Sequence, residues 1–212
     1  MESYYPNLHI VQHPLIKRDL TEIRDAATKQ EQFRNAVSRI SVILAAEIMK
    51  NAPLVETTVE TPLEKTIGYK LQEEIILVPV LRAGLGMTSG FISLIPDAKV
   101  GHVGIQRNEN TLQPDVYYSK SPKTLSSSMT IMLDPMLATG GSASAALTYL
   151  KERGAVKLFF ASLVSSPVGV ERLLREHPDV PIYSAVLDRE LNDKGYILPG
   201  LGDAGDRTFG TL

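Results

Sequence analysis

Cysteine is absent from the 212 residues of this chain, which excludes disulfides, thiolate metal sites and a cysteine nucleophile together. No apolar run approaches the ~20 residues that span a bilayer, so no membrane partner is expected. The opening stretch, with Tyr4, Tyr5 and Pro6, lacks the basic-then-apolar layout of a secretory leader, and cytoplasmic residence is the expectation. A strong charge of either sign is also missing. The formal net charge of −2 and the pI near 6.1 leave no electrostatic footprint for coating a nucleic acid. The histidines at 9, 13, 102 and 177 are scattered, with no His-Glu-x-x-His or paired-ligand spacing, so no metal held by protein side chains is expected. What remains is ordinary globular material. Hydrophobic residues at 43% and charged residues at 22% suit one α/β domain over 1–212 with a substantial core.

Hydrophobic spacing organises that domain. His13-Pro14-Leu15 opens a helical pattern reaching about Ala27. A second helix runs from near Glu31 to Lys50 with an apolar stripe at Phe33, Val37, Ile40, Leu44 and Ile48, so N-terminal helices occupy 13–50. Leu54 to Thr61 reads as a strand or extended segment stopped by Pro62. Continuous apolar runs at Ile75–Leu81, Met129–Leu133, Val156–Val164 and Ile182–Leu187 are expected of strands buried on both faces. Ser166-Pro167 starts a helix that ends near His177-Pro178. The alternation specifies an α/β fold with a doubly wound, mainly parallel sheet flanked by helices. Lys99 to Ile105 and Val116 to Ser119 read as strands around a polar excursion, a β-hairpin arm at about 103–120.

The chemistry concentrates where Met129–Leu133 ends in Asp134-Pro135-Met136-Leu137-Ala138-Thr139-Gly140-Gly141-Ser142, before an alanine-rich helix from Ala143 to Arg153. Two glycines let backbone N–H groups converge on one anion, and a helix start adds free donors and a positive dipole end. Thr139 and Ser142 bring hydroxyls, and Asp134 stands at a strand's carboxyl end, where ligands of open α/β sheets gather. Taken alone, Thr-Gly-Gly-Ser is equally a turn with Ser142 as N-cap. The whole segment resembles the phosphoribosyl pyrophosphate (PRPP) loop of type I phosphoribosyltransferases, in the form carried by the uracil phosphoribosyltransferase family, which has Asp-Pro where many relatives have two adjacent acids.

Two further segments carry the same resemblance. Ile75–Leu81 delivers Arg82-Ala83-Gly84-Leu85-Gly86 to a strand's carboxyl end, where an arginine fork is suited to pyrophosphate oxygens. Pro79 to Gly86 is similar to the family's pyrophosphate loop. Gly84-x-Gly86-x-x-Ser89 fails the dinucleotide fingerprint at its third position and has no acid at the required distance downstream. From Asp188 the rhythm breaks into Leu191 to Gly210, rich in glycine. Gly200 to Gly205 matches Gly-x-Gly-x-x-Gly without the strand, long helix and distant acid of a Rossmann unit. This stretch resembles the family's uracil-binding hood, at about 189–210.

The resemblance implies the fold just described and the reaction of uracil with PRPP to give UMP and pyrophosphate, in pyrimidine salvage. It implies PRPP binding by Arg82, Arg107, Asp134, the loop 134–142 and Asp203, with Asp134, Arg107 and Asp203 the catalytic set. Ile197, Gly202, Asp203 and Ala204 bind uracil, Asp203 being also a candidate proton acceptor or a neutral hydrogen-bond partner. Mg²⁺ arrives bound to PRPP, GTP is a possible effector, and a homodimer or homotetramer is expected. The chain departs from the family around Arg107, with Gln106 and Asn108 where an aromatic residue and an aspartate are usual. Competing readings are a transferase for another base, a pyrimidine-sensing RNA-binding regulator on the same fold, and a dinucleotide-binding module. Arg107→Ala is expected to reduce turnover sharply in a UMP-forming assay; near-normal turnover removes Arg107 from the site.

Overall fold

A computed structural model of the chain describes residues 5–107 and 114–211. In chain order the elements are β1 (Leu8–Ile10), α1 (Pro14–Arg24), α2 (Gln30–Met49), β2 (Leu54–Glu60), β3 (Lys65–Leu71), β4 (Ile75–Leu81), α3 (Leu85–Leu94) and β5 (Lys99–Val100). There follow β6 (His102–Arg107), β7 (Pro114–Lys120), a 3-10 turn at Leu125–Ser127, β8 (Met129–Leu133), β9 (Met136–Leu137), α4 (Gly141–Glu152) and β10 (Lys157–Ser165). The chain continues through α5 (Pro167–Glu176), β11 (Ile182–Leu187), β12 (Glu190–Leu191), β13 (Ile197–Leu198) and α6 (Ala204–Phe209).

The main sheet runs β1-β11-β10-β8-β4-β6-β7, with β5 beside β4 and β9 beside β10. All its pairings are parallel except β6 with β7. It is a mainly parallel sheet flanked by helices, as the apolar runs require. Strand alternation divides its side chains between two cores. Ile75 and Leu77 of β4 and Ile131 and Leu133 of β8 pack with Phe33, Val37, Ile40, Met87 and Phe91 of α2 and α3. Ile76, Val78 and Met132 face the other way, onto Ala143, Leu147, Val170 and Leu173 of α4 and α5. Each fully buried Leu, Ile or Phe contributes roughly 1.5–3 kcal/mol, so both faces hold the sheet.

Local signals account for the helix starts. His13 accepts a hydrogen bond from Leu15 N at 3.1 Å, and Pro14 fills the first turn of α1. Ser166 Oγ accepts from Gly169 N at 3.0 Å, with Pro167 behind it.

Three local expectations change. The segment 99–105 is two short strands, because the chain turns in at Gly101, whose N–H bonds Leu77 O at 2.8 Å. Helix α4 begins at Gly141, with Gly140 as its N-cap at φ 74°, so Ser142 lies inside the first turn rather than capping it. Beyond Pro62 the chain forms a second antiparallel hairpin, β2 with β3, whose residues are mostly exposed and whose Lys65–Leu71 half shows no burial period to read.

Candidate active site

The direction of the crossovers makes the site. From β4 the chain passes through α3 to β5 and β6 on one side, whereas from neighbouring β8 it passes through α4 to β10 on the other. The loops leaving these two strands therefore part above their carboxyl ends, and a crevice opens between them. Pro79 pairs with Leu133, so the chain's Arg82 and Asp134 leave adjacent strands within three residues of the same register. The 82–86 loop is pressed onto β8. A methyl group added at Gly84 would lie 2.3 Å from Leu133 O and 2.6 Å from Val80 N, so nothing larger than hydrogen fits there.

The 134–142 segment is pinned from behind and open in front. Pro135 O accepts from Leu163 N at 3.1 Å and Val164 N at 3.0 Å, Leu137 O from Ser166 N at 2.9 Å, and Ala138 O from Ser166 Oγ at 2.6 Å. Pro135 and Leu137 are buried, with Met136 and Ala138 partly so, and these four fix the path of the loop. Thr139 and Ser142 are exposed at the front, beside the first-turn amides of α4. Gly140 adopts the left-handed conformation that turns the chain into this helix. The arrangement is an amide-and-hydroxyl cup at a helix N-terminus, suited to an anion.

Asp134 sits where the cup meets the sheet. Among the described residues its carboxylate accepts only a 3.3 Å bond from Met136 N, and burial pushes its carboxyl up to about 6 against that weaker opposing bond. The residue as a whole is partly exposed. Arg82 is exposed and tied to α6, its Nη2 donating to Asp206 Oδ1 at 3.2 Å, while Thr211 Oγ1 donates to the same oxygen at 2.6 Å. These bonds hold the Asp206 carboxyl below the usual range. Arg107 closes β6, and its side chain and residues 108–113 lie outside the described residues, as does the departure at Asn108.

The C-terminal stretch folds over this crevice and meets both loops. A methyl added at Gly195 would lie 3.6 Å from Thr139 Cγ2, and one added at Gly205 would lie 3.7 Å from Ala83 Cβ. Its anchors lie behind it. Arg24 grips buried Asp188 with two bonds of 2.9 and 2.6 Å, and the pair takes both ends of Gly200, Arg24 Nη1 to its O at 3.0 Å and its N to Asp188 Oδ2 at 2.9 Å. Arg207 donates to Leu201 O at 2.8 Å, to Asp25 O at 2.6 Å and to Ile23 O, and stacks 4.5 Å over the Phe33 ring. Ile197 and Ala204 are buried, Gly202 and Asp203 exposed. Asp203 also caps α6, accepting from Asp206 N at 2.8 Å. Sequence reading missed Asp206, Arg24, Asp188 and Arg207. Only the Asp-x-x-Asp spacing of a capped turn hinted at the first.

Comparison with known proteins follows the same outline. The family model described as uracil phosphoribosyltransferase matches residues 10–211. A uracil phosphoribosyltransferase of Salinibacter ruber is 55% identical over 205 residues, covering 97% of this chain and 98% of that protein. Among solved structures, the AQ2163 protein from Aquifex aeolicus superposes with a TM-score of 0.90 at 38% identity, covering 95% of this chain and 97% of that one. A hypoxanthine-guanine phosphoribosyltransferase from Bacillus anthracis shares the fold at 14% identity, with a TM-score of 0.53 over 75% of this chain and 80% of that one.

Asp134 gives the site a pH signature. Because its carboxyl holds a proton more tightly when folded, its stabilising contribution is whole below about pH 4 and is lost as pH rises through about 6. In unligated protein the stability of Asp134→Asn relative to the parent is therefore expected to rise by about 1–3 kcal/mol between acid and pH 8, the lower figure allowing for the residue's partial exposure. Urea titrations across that range measure it, and a gap that stays flat with pH contradicts the assigned burial.

Proposed function

The chain belongs to the uracil phosphoribosyltransferase family and joins uracil to the ribose of PRPP, giving UMP and pyrophosphate; from that premise we propose that the crevice between β4 and β8 is the reaction site. The observation that carries this is the meeting of three segments: the glycine-lined hood approaches the 134–142 loop at Thr139 and is bonded to the 82–86 loop through Asp206 and Arg82. A sugar phosphate seated on the cup then presents its anomeric carbon under the hood.

The protein's work in this displacement is positioning and electrostatics, since positive charge develops on the ribose as pyrophosphate leaves. In this reading the amides and hydroxyls of 138–142 hold the 5′-phosphate. Asp134, ionised above about pH 6, accepts from the ribose hydroxyls and favours the cationic ring. Arg82 and Arg107 take the pyrophosphate oxygens, and the Asp206 bond keeps the Arg82 guanidinium over the 82–86 loop until they arrive. Main-chain groups of Ile197, Gly202 and Ala204 read the acceptor–donor–acceptor edge of uracil. Cytosine reverses two of these partners and leaves buried groups unpaired, which is worth ~10⁴ or more in discrimination. Asp203, exposed at the hood's edge, is the acid nearest in sequence to these base contacts and the candidate to accept the uracil proton.

Among the described residues, no group of three or more His, Cys, Asp or Glu stands where it would hold a metal ion. The Asp134 carboxylate and the exposed hydroxyls of Thr139 and Ser142 are the oxygen donors that would meet a cation arriving on the substrate. Mg²⁺ carried by PRPP would supply positive charge to the leaving pyrophosphate. No helix among the described residues is long and apolar enough to cross a membrane, and cytoplasmic residence belongs to this proposal with GTP as a possible effector. Fractionation of cells and a GTP titration of the rate check those two points.

A homo-oligomer is the remaining part. The β2–β3 hairpin exposes Leu54, Val55, Leu63, Ile67, Tyr69 and Leu71, with Leu63 at 95%. Such an apolar arm is a contact surface waiting for a partner. The far edge of the sheet, at β1, carries an apolar groove of Leu8, Ile10, Val42, Ile43 and Ala46 suited to a second copy. Ile67→Asp is expected to shift the protein toward monomer in analytical ultracentrifugation; an unchanged mass removes the hairpin from the interface.

UMP formation from uracil, PRPP and Mg²⁺ is the direct test, with cytosine and hypoxanthine as competing bases. Uracil alone is expected to turn over, and Asp134→Asn to raise the KM for PRPP more than that for uracil. Equal turnover of another base, or the reverse KM pattern, overturns the assignments.

A further inference from the structure

The loop 134–142 contains no lysine or arginine, although the phosphate assigned to it is a dianion. A cation stands beside it on another element. Helix α5 packs along α4, and Arg172 lies in its second turn, facing the start of α4. The side chain runs along the loop: a methyl added at Gly140 would lie 3.2 Å from Arg172 Cβ and 3.3 Å from Cδ. A methyl added at Gly141 would lie 3.3 Å from Arg172 Nη1 and 3.7 Å from Thr139 Oγ1. Guanidinium and hydroxyl thus border the same small space over the first residue of α4.

The guanidinium is held by one edge only. Its Nε donates to Glu176 Oε2 at 3.1 Å, and among the described residues neither terminal nitrogen has a hydrogen-bond partner. Glu176 is itself fixed, accepting from Ser144 Oγ at 2.5 Å and from Arg175 Nη2 at 2.9 Å, and these bonds hold its carboxyl down at about 2. In sequence the pair reads as an ordinary i, i+4 surface salt bridge. Two features separate it from one. Its acid is tied to α4 through Ser144, and its base places Nη1, without a partner among the described residues, beside Gly141 at the start of α4.

We propose that Arg172 is a binding residue for the 5′-phosphate of PRPP and UMP, with Glu176 positioning its guanidinium. Arg172 supplies the formal positive charge that the loop's amides and hydroxyls lack, through a planar fork that matches phosphate oxygens. This rests on the reading of 138–142 as the phosphate loop.

The two ends of PRPP can be probed separately, with ribose 5-phosphate and pyrophosphate as inhibitors competing against PRPP. For Arg172→Gln the inhibition constant of ribose 5-phosphate is expected to rise about tenfold, as for loss of one charge-assisted contact, while that of pyrophosphate stays near the parent's value. Arg172→Lys, which keeps the charge and loses the fork, is expected to fall between. Unchanged ribose 5-phosphate inhibition overturns the proposal, as does equal weakening of both inhibitors, which marks a general disturbance of the fold. Thr139→Ala separates the two readings. If it weakens ribose 5-phosphate selectively and Arg172→Gln does not, only the role of Arg172 is lost. If Thr139→Ala spares ribose 5-phosphate, the phosphate loop itself is misassigned.

Discussion

Parallel pairing of β4 with β8, followed by crossovers in opposite directions, is the constraint on which the rest of the molecule depends. The pairing brings two strand ends together, and the divergence keeps the space above them empty of helix. Alternating burial enforces it. With Ile76, Val78 and Met132 committed to α4 and α5, and Leu77, Ile131 and Leu133 to α2 and α3, a one-residue slip would exchange the two cores. Arg82 and Asp134 leave neighbouring strand ends as a consequence of register, although they lie 52 positions apart in the chain.

A second consequence is a separation of duties between anchoring and reacting groups. The hood is held by Arg24 with Asp188 and by Arg207, all on its rear side, where carbonyls and carboxylates satisfy the guanidinium donors. Its front is left with short glycine-rich main chain. The 134–142 loop repeats the pattern: its carbonyls at 135, 137 and 138 bond backward to β10 and Ser166, and the exposed hydroxyls of Thr139 and Ser142 stand at its front beside the first turn of α4. Asp134 sits at the seam between these two sides, with one long hydrogen bond and a carboxyl held high by burial. In the proposed reading, an ionised carboxylate with so few partners is available to hydroxyls that a substrate brings.

Much of this was legible in the sequence, unevenly. The four apolar runs gave the central strands because burial on both faces leaves an unbroken hydrophobic signature. The stripe from Phe33 to Ile48 and the Ser166-Pro167 start gave helices for equally local reasons. The segment 134–142 was singled out by Thr139-Gly140-Gly141-Ser142 and the acid five positions before them, and by its family resemblance, because Thr-Gly-Gly-Ser alone is equally an ordinary turn. The β2–β3 hairpin was half missed, since exposed strands carry no burial period and Lys65–Leu71 mixes charge with apolar residues. Arg24, Asp188, Asp206 and Arg207 were not legible as site residues. Their meaning lies in contacts across as many as 184 positions, and in sequence each is one more charged residue. Helix α6 was hidden by its brevity and by glycines that read as loop.

The central claim is that one nucleotide bridges the cup at Thr139 and the hood at Gly202. A crystal structure of the UMP complex tests it most directly. The expected result has the phosphate within hydrogen-bonding distance of the amides at 139–142 and the uracil edge against the main chain of 197–204. A phosphate in the cup with its base turned away from the hood, or a nucleotide bound elsewhere, would contradict it.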